Sequence, residues 1–599
     1  MSKTRREFLA MTSVGLVAAV VPSGALAQEP QQDQTPGAPP AWGTGPQVGP
    51  EVTQATLREA EKLVQINLPE GELAEAAVSW RANMASLYER RCGPRMVELE
   101  DTLAPATQWN PALPQVKLPQ TPEHFVRTSG AQRPLPADDA DIAFAPVTEL
   151  SRWIEVGKLT SVRLTDIYLR RLEQFNPTLR CVITMTAEHA RAQAKQADAE
   201  IAVGKYRGPL HGIPYGVKDL LDTAHIATTY GAEPFRGRVP MQDSAVVRKL
   251  NEAGAVLVAK LSLGSLALND VWFGGQVMNP WCLEEGSSGS SAGPGSATAA
   301  GLVAFSIGSE TEGSIVSPSM RCGLTGLRPT FGRVPRTGAM TLCWSLDKLG
   351  PMTRSVEDAM LVLRAIAGAD AGDLASVAHP LHFDANAGVA GLRVGYFPKW
   401  MREAPATDVD LAAMKSAERA GMKLVEVGLP DWPYDSLNVI LFAEAAAAFE
   451  DITLNDRMSE LKMQVPDAWP NIFRQSRFLS AVDFVQCDRF RRKVAEEMAR
   501  IFDTVDLLLV PSLRDEMMTI SNFTGHPSLT LRAGFVEIKE ARSDWAPDPQ
   551  HPLPKFSVPR RVPHGITLIG RLFDEGTLGT AGLALEKLFN VASERPAGF

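Results

Sequence analysis

The sequence lacks a surplus of basic residues, which bears directly on its partners. Its 60 lysines and arginines stand against 69 aspartates and glutamates, so the formal net charge is −9. A protein that binds nucleic acid must neutralise phosphates with positive charge. No arginine-rich run or basic aromatic stripe compensates for the deficit. We therefore expect no nucleic-acid partner.

Cysteine is also scarce, with six residues among 599. The six lie far apart, with no C-x-x-C pair and no histidine at metal-ligand spacing. His379 and His382 form one close pair, which alone is weak evidence for metal, and we interpret both as surface or loop residues. The pattern predicts mostly buried thiols and no bound metal.

Long hydrophobic runs are missing as well. A short apolar run lies near the amino terminus. Basic residues at positions 3–6 precede an apolar run at 14–21, and the string ALA at 25–27 supplies a small-x-small cleavage site. This run is too short to span a membrane. The sequence therefore predicts a signal peptide at 1–27, no stable membrane insertion, and a periplasmic or secreted mature protein.

The string TRREFL at 4–9 resembles a twin-arginine signal. Such a signal implies that the export machinery carries an already folded protein. A protein that folds in the reducing cytoplasm cannot depend on disulfides to fold, although its cysteines remain free to pair after export. The alternative is a chance arginine pair in a general secretory signal.

The composition of residues 28–139 divides this part of the chain into two segments. Residues 28–50 are rich in proline, glycine and glutamine, which predicts a disordered linker. Residues 51–139 begin with a helical pattern and continue as a proline-rich connector, so they form a predicted N-terminal helical extension. The apolar face of this extension comprises Leu73, Ala77, Trp80, Met84 and Leu87.

From about residue 140, helical and strand-like segments alternate. Ser161 is a predicted helix cap, and the helix that follows is predicted to end at Asn176 and Pro177. Helices between short buried strands favour an α/β fold with both faces of its sheet covered. The predicted strands are short apolar runs at 181–185, 255–259, 506–510 and 565–570.

The stretch GSSGSSAGPGSATAAG at 286–301 has the composition of a flexible linker, yet apolar strand-like and core-like sequence flanks it. One interpretation is G-x-S-x-G, the nucleophile elbow of α/β-hydrolases, with Ser291 as nucleophile and His564 as partner. That motif requires a strand directly before it, and NPWCLEEGSS is not strand-like. A second short match, S-x-x-K at Ser459–Lys462, lacks companion motifs, so we interpret it as an exposed helix face.

Three longer segments carry a more specific signal. They are GPLHGIPYGVKDLLDTAHIATTYGA at 208–232, the serine- and glycine-rich stretch at 289–338, and SLDKLGPMTRSVEDAMLVLRAIAG at 345–368. In this order they resemble the amidase signature family. The likeness extends over about 140–385 and 480–590, is weak in 383–480 and is absent before about 140.

The resemblance implies a fold as well as an activity. The expected fold is α/β, with a single large mixed β-sheet covered by helices on both faces and preceded by the N-terminal helical extension. The expected amidase signature domain occupies residues 140–592, within which 383–500 is a variable region on the substrate side.

The family's catalytic triad is a lysine, a serine that follows a cis peptide bond, and a serine nucleophile. Matched residue by residue, the lysine falls on Lys218 of V-K-D and the nucleophile on Ser314 of G-S-I. The cis-serine falls on Ser290, although the glycine-rich flanks allow a register slip of one residue. The resemblance implies no metal and no organic cofactor.

The expected oxyanion hole consists of the backbone N–H groups of Thr311, Glu312, Gly313 and Ser314. Two positions depart from the pattern of many relatives. Glu312 replaces a glycine, so its carboxyl group must point away from the oxyanion or be neutral. Val316 replaces an arginine, which leaves the choice of substrate open.

These residues make chemical sense together. Ser314 is a weak nucleophile that needs a base, and a free lysine with a pKa of about 10.4 is protonated at neutral pH. Burial disfavours the charged form, and GIPYGV before Lys218 is apolar enough to bury it. The hydroxyl of Ser290 is the expected proton shuttle between Lys218 and Ser314.

The predicted function is hydrolysis of a small-molecule carboxylic amide through an acyl-enzyme, with release of ammonia or an amine. The alternatives are an esterase or aryl acylamidase on the same triad, the glutamine-hydrolysing subunit of a tRNA-dependent amidotransferase, and a catalytically inactive binding protein. We expect neutral, apolar amides to be preferred over anionic ones. The predicted lining of an apolar acyl pocket is Trp432, Phe442, Phe449, Trp469 and Phe473.

Overall fold

The computed structural model describes residues 46–64, 66–92, 94–97, 123–129 and 133–599. The predicted signal peptide at 1–27 and most of the predicted linker at 28–50 lie outside these residues. No helix within the described ranges is long and apolar enough to cross a membrane.

A mixed sheet of eleven strands forms the centre of the fold. The first nine strands of the described chain are β1 (His124–Val126), β2 (Val182–Met185), β3 (Pro214–Lys218), β4 (Val256–Leu261), β5 (Val271–Trp272), β6 (Gly275–Gln276), β7 (Met278–Asn279), β8 (Cys282–Gly286) and β9 (Phe305–Glu310). The others are β10 (Thr325–Arg328), β11 (Lys348–Thr353), β12 (His382–Asp384), β13 (Arg393–Tyr396), β14 (Lys423–Glu426), β15 (Leu507–Pro511), β16 (Ser528–Glu540) and β17 (Lys555–Gly570).

The order across the large sheet is β14-β13-β15-β17-β16-β10-β11-β9-β3-β4-β2. The pairs β3–β9 and β3–β4 are parallel, whereas β9–β11, β10–β16 and β16–β17 are antiparallel. Three two-stranded sheets, β1–β12, β5–β6 and β7–β8, lie outside it. The predicted mixed sheet is therefore confirmed.

Helices cover both faces of this sheet. As a result, β3, β4, β9 and β11 are buried at every position. The helices that precede β8 are α1 (Gln54–Val64), α2 (Glu70–Asn83), α3 (Ala85–Cys92), α4 (Asp139–Phe144), α5 (Val147–Glu155), α6 (Ser161–Leu179), α7 (Ala187–Ala202) and α8 (Ala245–Glu252). The later ones are α9 (Ala292–Ala299), α10 (Val316–Cys322), α11 (Val356–Ile366), α12 (Asp408–Arg419), α13 (Asn438–Ala448), α14 (Glu450–Leu454), α15 (Trp469–Ser476), α16 (Ala481–Thr504), α17 (Asp515–Phe523) and α18 (Glu575–Phe589).

Helix α6 differs from the prediction at both ends. Its cap is Thr160, whose hydroxyl accepts a hydrogen bond from the N–H of Arg163, whereas Ser161 donates its hydroxyl to the carbonyl of Gly212. The helix also continues through Pro177 to Leu179. A proline in the last turn removes one N–H donor close to the end of the helix, so its cost there is small.

The N-terminal extension is helical, as predicted, but it forms separate helices that meet at Met84. Leu73, Met84 and Leu87 are buried, and Ala77 and Trp80 are half-buried. Helix α2 packs against α15, which belongs to the predicted variable region. The extension is therefore part of the packed molecule.

Five of the six cysteines are buried free thiols, as predicted, and the side chain of Cys92 lies outside the described residues. Cys181, Cys282 and Cys322 show how these thiols are buried. Burial raises the pKa of Cys181 and of Cys282 to about 12. Cys322 packs with Ile315, Leu324 and Met352, which agrees with the prediction of mostly buried thiols.

Candidate active site

Lys218 occupies the carboxyl end of β3, beside the parallel strand β9. Its Nζ lies 2.8 Å from the hydroxyl oxygen of Ser290, 2.8 Å from that of Ser309 and 3.1 Å from that of Ser291. Parallel neighbours end at the same edge of a sheet, so the segments that follow β3 and β9 meet there. Three hydroxyl groups from distant parts of the chain thus surround one amine.

The amine of Lys218 is shielded from solvent, with 0% of the residue exposed. Burial lowers the pKa of Lys218 well below its ordinary value, and the charges of Asp347 and Glu310 oppose this effect only in part. Among the described residues, no carboxylate lies within ion-pair distance of Lys218. Lys260, by contrast, is equally buried but forms an ion pair with Asp219 at 3.1 Å. Lys218 is the amine suited to accept a proton at neutral pH.

The serine-rich stretch is fixed by backbone and side-chain contacts. The peptide bond between Gly289 and Ser290 is cis. A Cβ atom at position 289 would lie 1.7 Å from the carbonyl oxygen of Asn269, so only glycine fits. Asp544 accepts hydrogen bonds from the hydroxyl of Ser288 at 2.6 Å and from the N–H of Gly289 at 3.0 Å. The stretch is therefore an ordered wall of the site and not a linker.

Ser314 lies in the turn between β9 and α10. Its carbonyl accepts a hydrogen bond from the N–H of Ser291 at 3.2 Å, which joins the two serine-containing segments. Gly313 before it has a φ of +81°, a conformation that glycine adopts without strain. The two N–H groups after Ser314 donate to the carboxylate of Glu310 at 2.7 and 2.9 Å.

The carboxylate of Glu310 holds this turn in place. It accepts hydrogen bonds from Arg328 at 2.6 Å and from Asn522 at 2.9 Å. Burial opposes ionisation, but the charge of Arg328 and the N–H of Val316 lower the pKa of Glu310 to about 2. The turn therefore rests on a carboxylate that stays ionised across the physiological pH range.

A cavity of about 680 Å³ opens over the turn, and Thr311, Glu312 and Ser314 line it. Within the described part of the chain, no acceptor pairs with the backbone N–H groups of Glu312, Gly313 or Ser314. Unpaired donors beside a serine hydroxyl are suited to a developing oxyanion.

The side chain of Glu312 faces this cavity but is held by Thr519, whose hydroxyl donates to it at 2.6 Å. Burial, with contributions from Asp435 and Glu310, raises the pKa of Glu312 to about 7. Its second carboxyl oxygen is buried and has no hydrogen-bond partner among the described residues. A carboxyl group that is half protonated at neutral pH is compatible with an oxyanion site nearby.

The predicted apolar pocket is correct for two of its five aromatic residues. Phe442 and Trp469 line the cavity, together with Leu441 and Ile472. The other three do not line this cavity. Trp432 is half-buried against Phe490, Phe473 is buried in the core, and Phe449 lines a separate cavity.

The alternative motifs are not supported by the geometry. Ser291 is fully buried, and its hydroxyl contacts Lys218 and the backbone of Ser309 instead of lining the cavity. The prediction that no strand precedes Ser291 is wrong, because β8 covers Cys282–Gly286, but β8 belongs to a two-stranded sheet outside the central one. His564 pairs with Asp410 at 2.8 Å. The S-x-x-K string at 459–462 has both its serine and its lysine exposed, as predicted.

The sequence analysis missed Ser309 and Asp544. Ser309 contacts Lys218, and its place in β9, at the edge where Lys218 ends its strand, becomes visible only once the pairing of β3 with β9 is known. Asp544 lies more than 250 residues after the glycine that it holds. No local pattern marks it.

A family model described as Amidase matches residues 163–578, more than half of the chain. The protein belongs to the amidase signature family. One relative is a glutamyl-tRNA(Gln) amidotransferase subunit from Halorhodospira halophila, 34% identical, with 76% of this chain and 99% of the relative covered. Another is a putative amidase AmiD from Mycobacterium tuberculosis, 34% identical, with 77% of this chain and 97% of the relative covered.

Solved structures of amidase signature enzymes share the fold. A peptide amidase from Stenotrophomonas maltophilia is 28% identical, with a TM-score of 0.64 over 76% of this chain and 98% of that chain. A bacterial aryl acylamidase is 20% identical with a TM-score of 0.63 over 76% of this chain and 99% of that chain, which is a likeness of fold alone. The protein is thus a hydrolase that acts on amide C–N bonds.

Proposed function

We propose that this amidase cleaves a carboxylic amide through an acyl-enzyme on Ser314, with Lys218 as base and Ser290 as proton shuttle. The observation that carries the proposal is the 2.8 Å contact between the buried amine of Lys218, whose pKa burial lowers well below its ordinary value, and the hydroxyl of Ser290. Ser290 directly follows Gly289, which lines the same cavity as Ser314. The reaction needs a base, a relay and a nucleophile, and these three residues supply one each.

In the first half-reaction, the hydroxyl oxygen of Ser314 attacks the carbonyl carbon of the amide. Its proton passes to the oxygen of Ser290, and the proton of Ser290 passes to the Nζ of Lys218. The ammonium of Lys218 then returns a proton through Ser290 to the amide nitrogen. The C–N bond breaks, ammonia or an amine leaves, and an ester on Ser314 remains.

The negative charge on the carbonyl oxygen needs donors during both half-reactions. The N–H groups of Thr311, Glu312, Gly313 and Ser314 form the proposed oxyanion hole, and those of Glu312, Gly313 and Ser314 have no other acceptor among the described residues. Removal of one oxyanion donor in other hydrolases costs about 10²–10³-fold in rate. In the second half-reaction, water attacks the ester carbonyl and its proton passes through Ser290 to Lys218. The ammonium of Lys218 then returns a proton through Ser290 to the oxygen of Ser314 as the ester C–O bond breaks, and the carboxylic acid leaves.

A fluorophosphonate probe tests the nucleophile. We expect it to label Ser314 in the wild-type protein, and we expect Ser314→Ala to be neither labelled nor active. The matched control is Ser317→Ala, because Ser317 lines the same cavity one helical turn further on. Labelling that persists in Ser314→Ala and moves to Ser291 would contradict the assignment.

Two other activities share this site. An esterase or aryl acylamidase would form the same acyl-enzyme, and the relative rates on matched amide and ester substrates distinguish these activities. The likeness to the glutamyl-tRNA(Gln) amidotransferase subunit favours glutamine as a second candidate substrate. The predicted export signal opposes that role, because charging of tRNA is cytoplasmic. Release of glutamate from free glutamine, with and without a tRNA-dependent partner complex, tests it.

We also propose that the protein is exported. The proposal rests on the basic residues at 3–6, the short apolar run at 14–21 and the ALA cleavage site at 25–27. The mature protein should begin near Gln28 and be recovered outside the cytoplasm. Replacement of Arg5 and Arg6 by lysine should leave the precursor inside the cell. Unchanged export of that double variant would show that the twin-arginine interpretation is wrong.

A further inference from the structure

We propose that the described residues of 46–97 form one wall of the active-site cavity and decide the size of the apolar group that reaches Ser314. This segment comprises the end of the predicted linker and the helices of the predicted N-terminal extension, and it is called the extension below. The inference rests on the proposed function for its substrate, but the wall itself is a matter of geometry. Residues from both ends of this extension line the same cavity as Thr311, Glu312 and Ser314.

The lining residues of the extension lie on two helices and on the segment before them. Ala82 belongs to the last turn of α2, Ala85 and Tyr88 to α3, and Met84 to the junction between the helices. Val48 lines the cavity from the segment before α1, and its neighbour Gly49 packs against the ring of Tyr88. The extension therefore contributes to the lining from the segment before α1, from the end of α2 and from α3.

Hydrogen bonds hold the wall on helix α15 of the variable region. The side-chain amide of Gln475 donates to the carbonyl of Ala76 and to the hydroxyl of Ser79, each at 2.8 Å. Asn471 donates to Ser79 at 2.6 Å, and Asn83 donates to Gln475 at 2.9 Å. These four hydrogen bonds hold the two helices in one relative position, although the buried side-chain oxygen of Asn471 has no partner among the described residues.

An ion pair makes this contact obligatory. Arg474 of α15 is 2% exposed, and its guanidinium lies 2.9 Å from Glu72 and 3.4 Å from Glu75 of α2. A buried guanidinium without a carboxylate partner is strongly destabilising. The extension therefore neutralises a charge in the core of the variable region, which a detachable tether would not do.

The wall lies outside the part of the chain that relatives share. The family model begins at residue 163, after the extension. The superposition that covers 98% of the peptide amidase chain takes in 76% of this chain. The catalytic segments therefore follow the family, whereas this side of the cavity is supplied by the additional amino-terminal sequence.

The apolar part of the lining points to an apolar substrate group. Met84, Ala85 and Tyr88 contribute apolar surface from the extension, and Phe442 and Ile472 contribute it from the variable region, beside a polar part formed by Asn83, Ser86, Glu89 and Arg95. A hydrocarbon group that contacts the apolar part is removed from water, at about 25 cal/mol per Å² of apolar surface. The cavity should accept an aryl group whose bulk the extension limits.

The test narrows the cavity at the wall and measures the selectivity between a large and a small amide. The variants are Ala85→Trp and Ala82→Trp, and the control is Val78→Trp, on the same extension but 71% exposed and away from the cavity. The probes are naphthalene-2-carboxamide and propionamide. We expect kcat/KM for the naphthyl amide to fall by at least about 10-fold in the wall variants, with propionamide changed by less than about threefold.

Binding to the Ser314→Ala protein separates this inference from the proposed function. Calorimetry should show that Ala85→Trp in that background weakens binding of the naphthyl amide by at least about 10-fold, whereas Val78→Trp does not. An equal loss with both amides, unchanged binding, or no binding of the naphthyl amide to the Ser314→Ala protein would overturn the wall. A wild-type protein that binds but hydrolyses no amide would overturn the proposed function and leave the wall standing.

Discussion

The floor and the outer wall of the cavity are built in different ways. The floor comes from three segments at one edge of the sheet, which carry Lys218, Ser290 and Ser314. The outer wall comprises α3 of the extension together with α13, α15 and α17, whose residues are separated by up to several hundred positions along the chain. The chemistry of this protein is thus concentrated in contiguous motifs, and its selectivity is distributed.

The two regions also differ in charge. The floor holds hydroxyl groups around a buried amine whose pKa is lowered, whereas Glu312, Asp435 and Asp515 all line the cavity above it. Burial, together with the charges of Asp435 and Glu312, raises the pKa of Asp515 well above its ordinary value. These carboxyl groups gain negative charge as the pH rises, and Arg95, the cation in the lining, is paired with Glu89, so anionic ligands should be disfavoured, most strongly at alkaline pH.

The largest effect is expected from a variant that removes the proposed base, Lys218. Lys218→Met should reduce kcat/KM by about 10³-fold, in the range typical of general base catalysis. The wild-type rate should rise with pH through a pKa well below that of free lysine, because the amine must be neutral to accept a proton. The variant should lose that rising limb. Lys462→Met, at an exposed position, is the control, and residual activity within tenfold of wild type would contradict the assignment.

The second effect concerns the backbone of the floor. Gly289→Ala places a Cβ atom 1.7 Å from the carbonyl oxygen of Asn269, so the segment must move or the protein must unfold. We expect a loss of about 3 kcal/mol or more in the free energy of unfolding, measured by denaturant titration. Gly237→Ala, with no atom within 4 Å of its Cβ, should change that free energy by less than about 0.5 kcal/mol.

The third effect tests the charge of the wall through the substrate. Benzamide-type substrates should be preferred over malonamate or succinamate by at least about 10-fold in kcat/KM, which corresponds to about 1.4 kcal/mol. Val316, which stands where relatives carry arginine, is buried among Met320, Leu513 and Met518 and offers no cation. Equal turnover of the anionic amides would show that another cation in the cavity pairs with them.

The smallest effect is the pH response of Glu312. Since the pKa of Glu312 is raised to about 7, the residue becomes an anion beside the proposed oxyanion hole as the pH rises above that value. The wild-type rate on a neutral amide should therefore be held down above pH 7. Glu312→Gln should relieve this by about threefold at pH 8.5, a difference below 1 kcal/mol. A pH profile that Glu312→Gln leaves unchanged would place the carboxylate too far away to act.

Prediction from the sequence was closest to the structure where the motif is local. The amine of Lys218 lies 2.8 Å from the hydroxyl of Ser290, and the Gly289–Ser290 bond has the expected cis geometry, whereas the catalytic roles of Lys218, Ser290 and Ser314 stay predictions. The prediction was poorest where only the surroundings distinguish two similar residues. Phe442 and Phe449 are equally buried and lie in the same apolar stretch, but Phe442 lines the cavity over Ser314 and Phe449 lines a different one, because other helices set their surroundings.

The sequence by itself determined the family, the mixed α/β fold and the identity of the candidate catalytic groups, because each is encoded in short runs with fixed spacing. Tertiary structure alone decided which buried amine lacks a carboxylate partner, since Lys218 and Lys260 are equally buried and only Lys260 forms an ion pair, with Asp219. It also decided that the amino-terminal extension reaches the cavity. Packing of α2 on α15 brings together residues almost 400 positions apart, and no local pattern records such a contact.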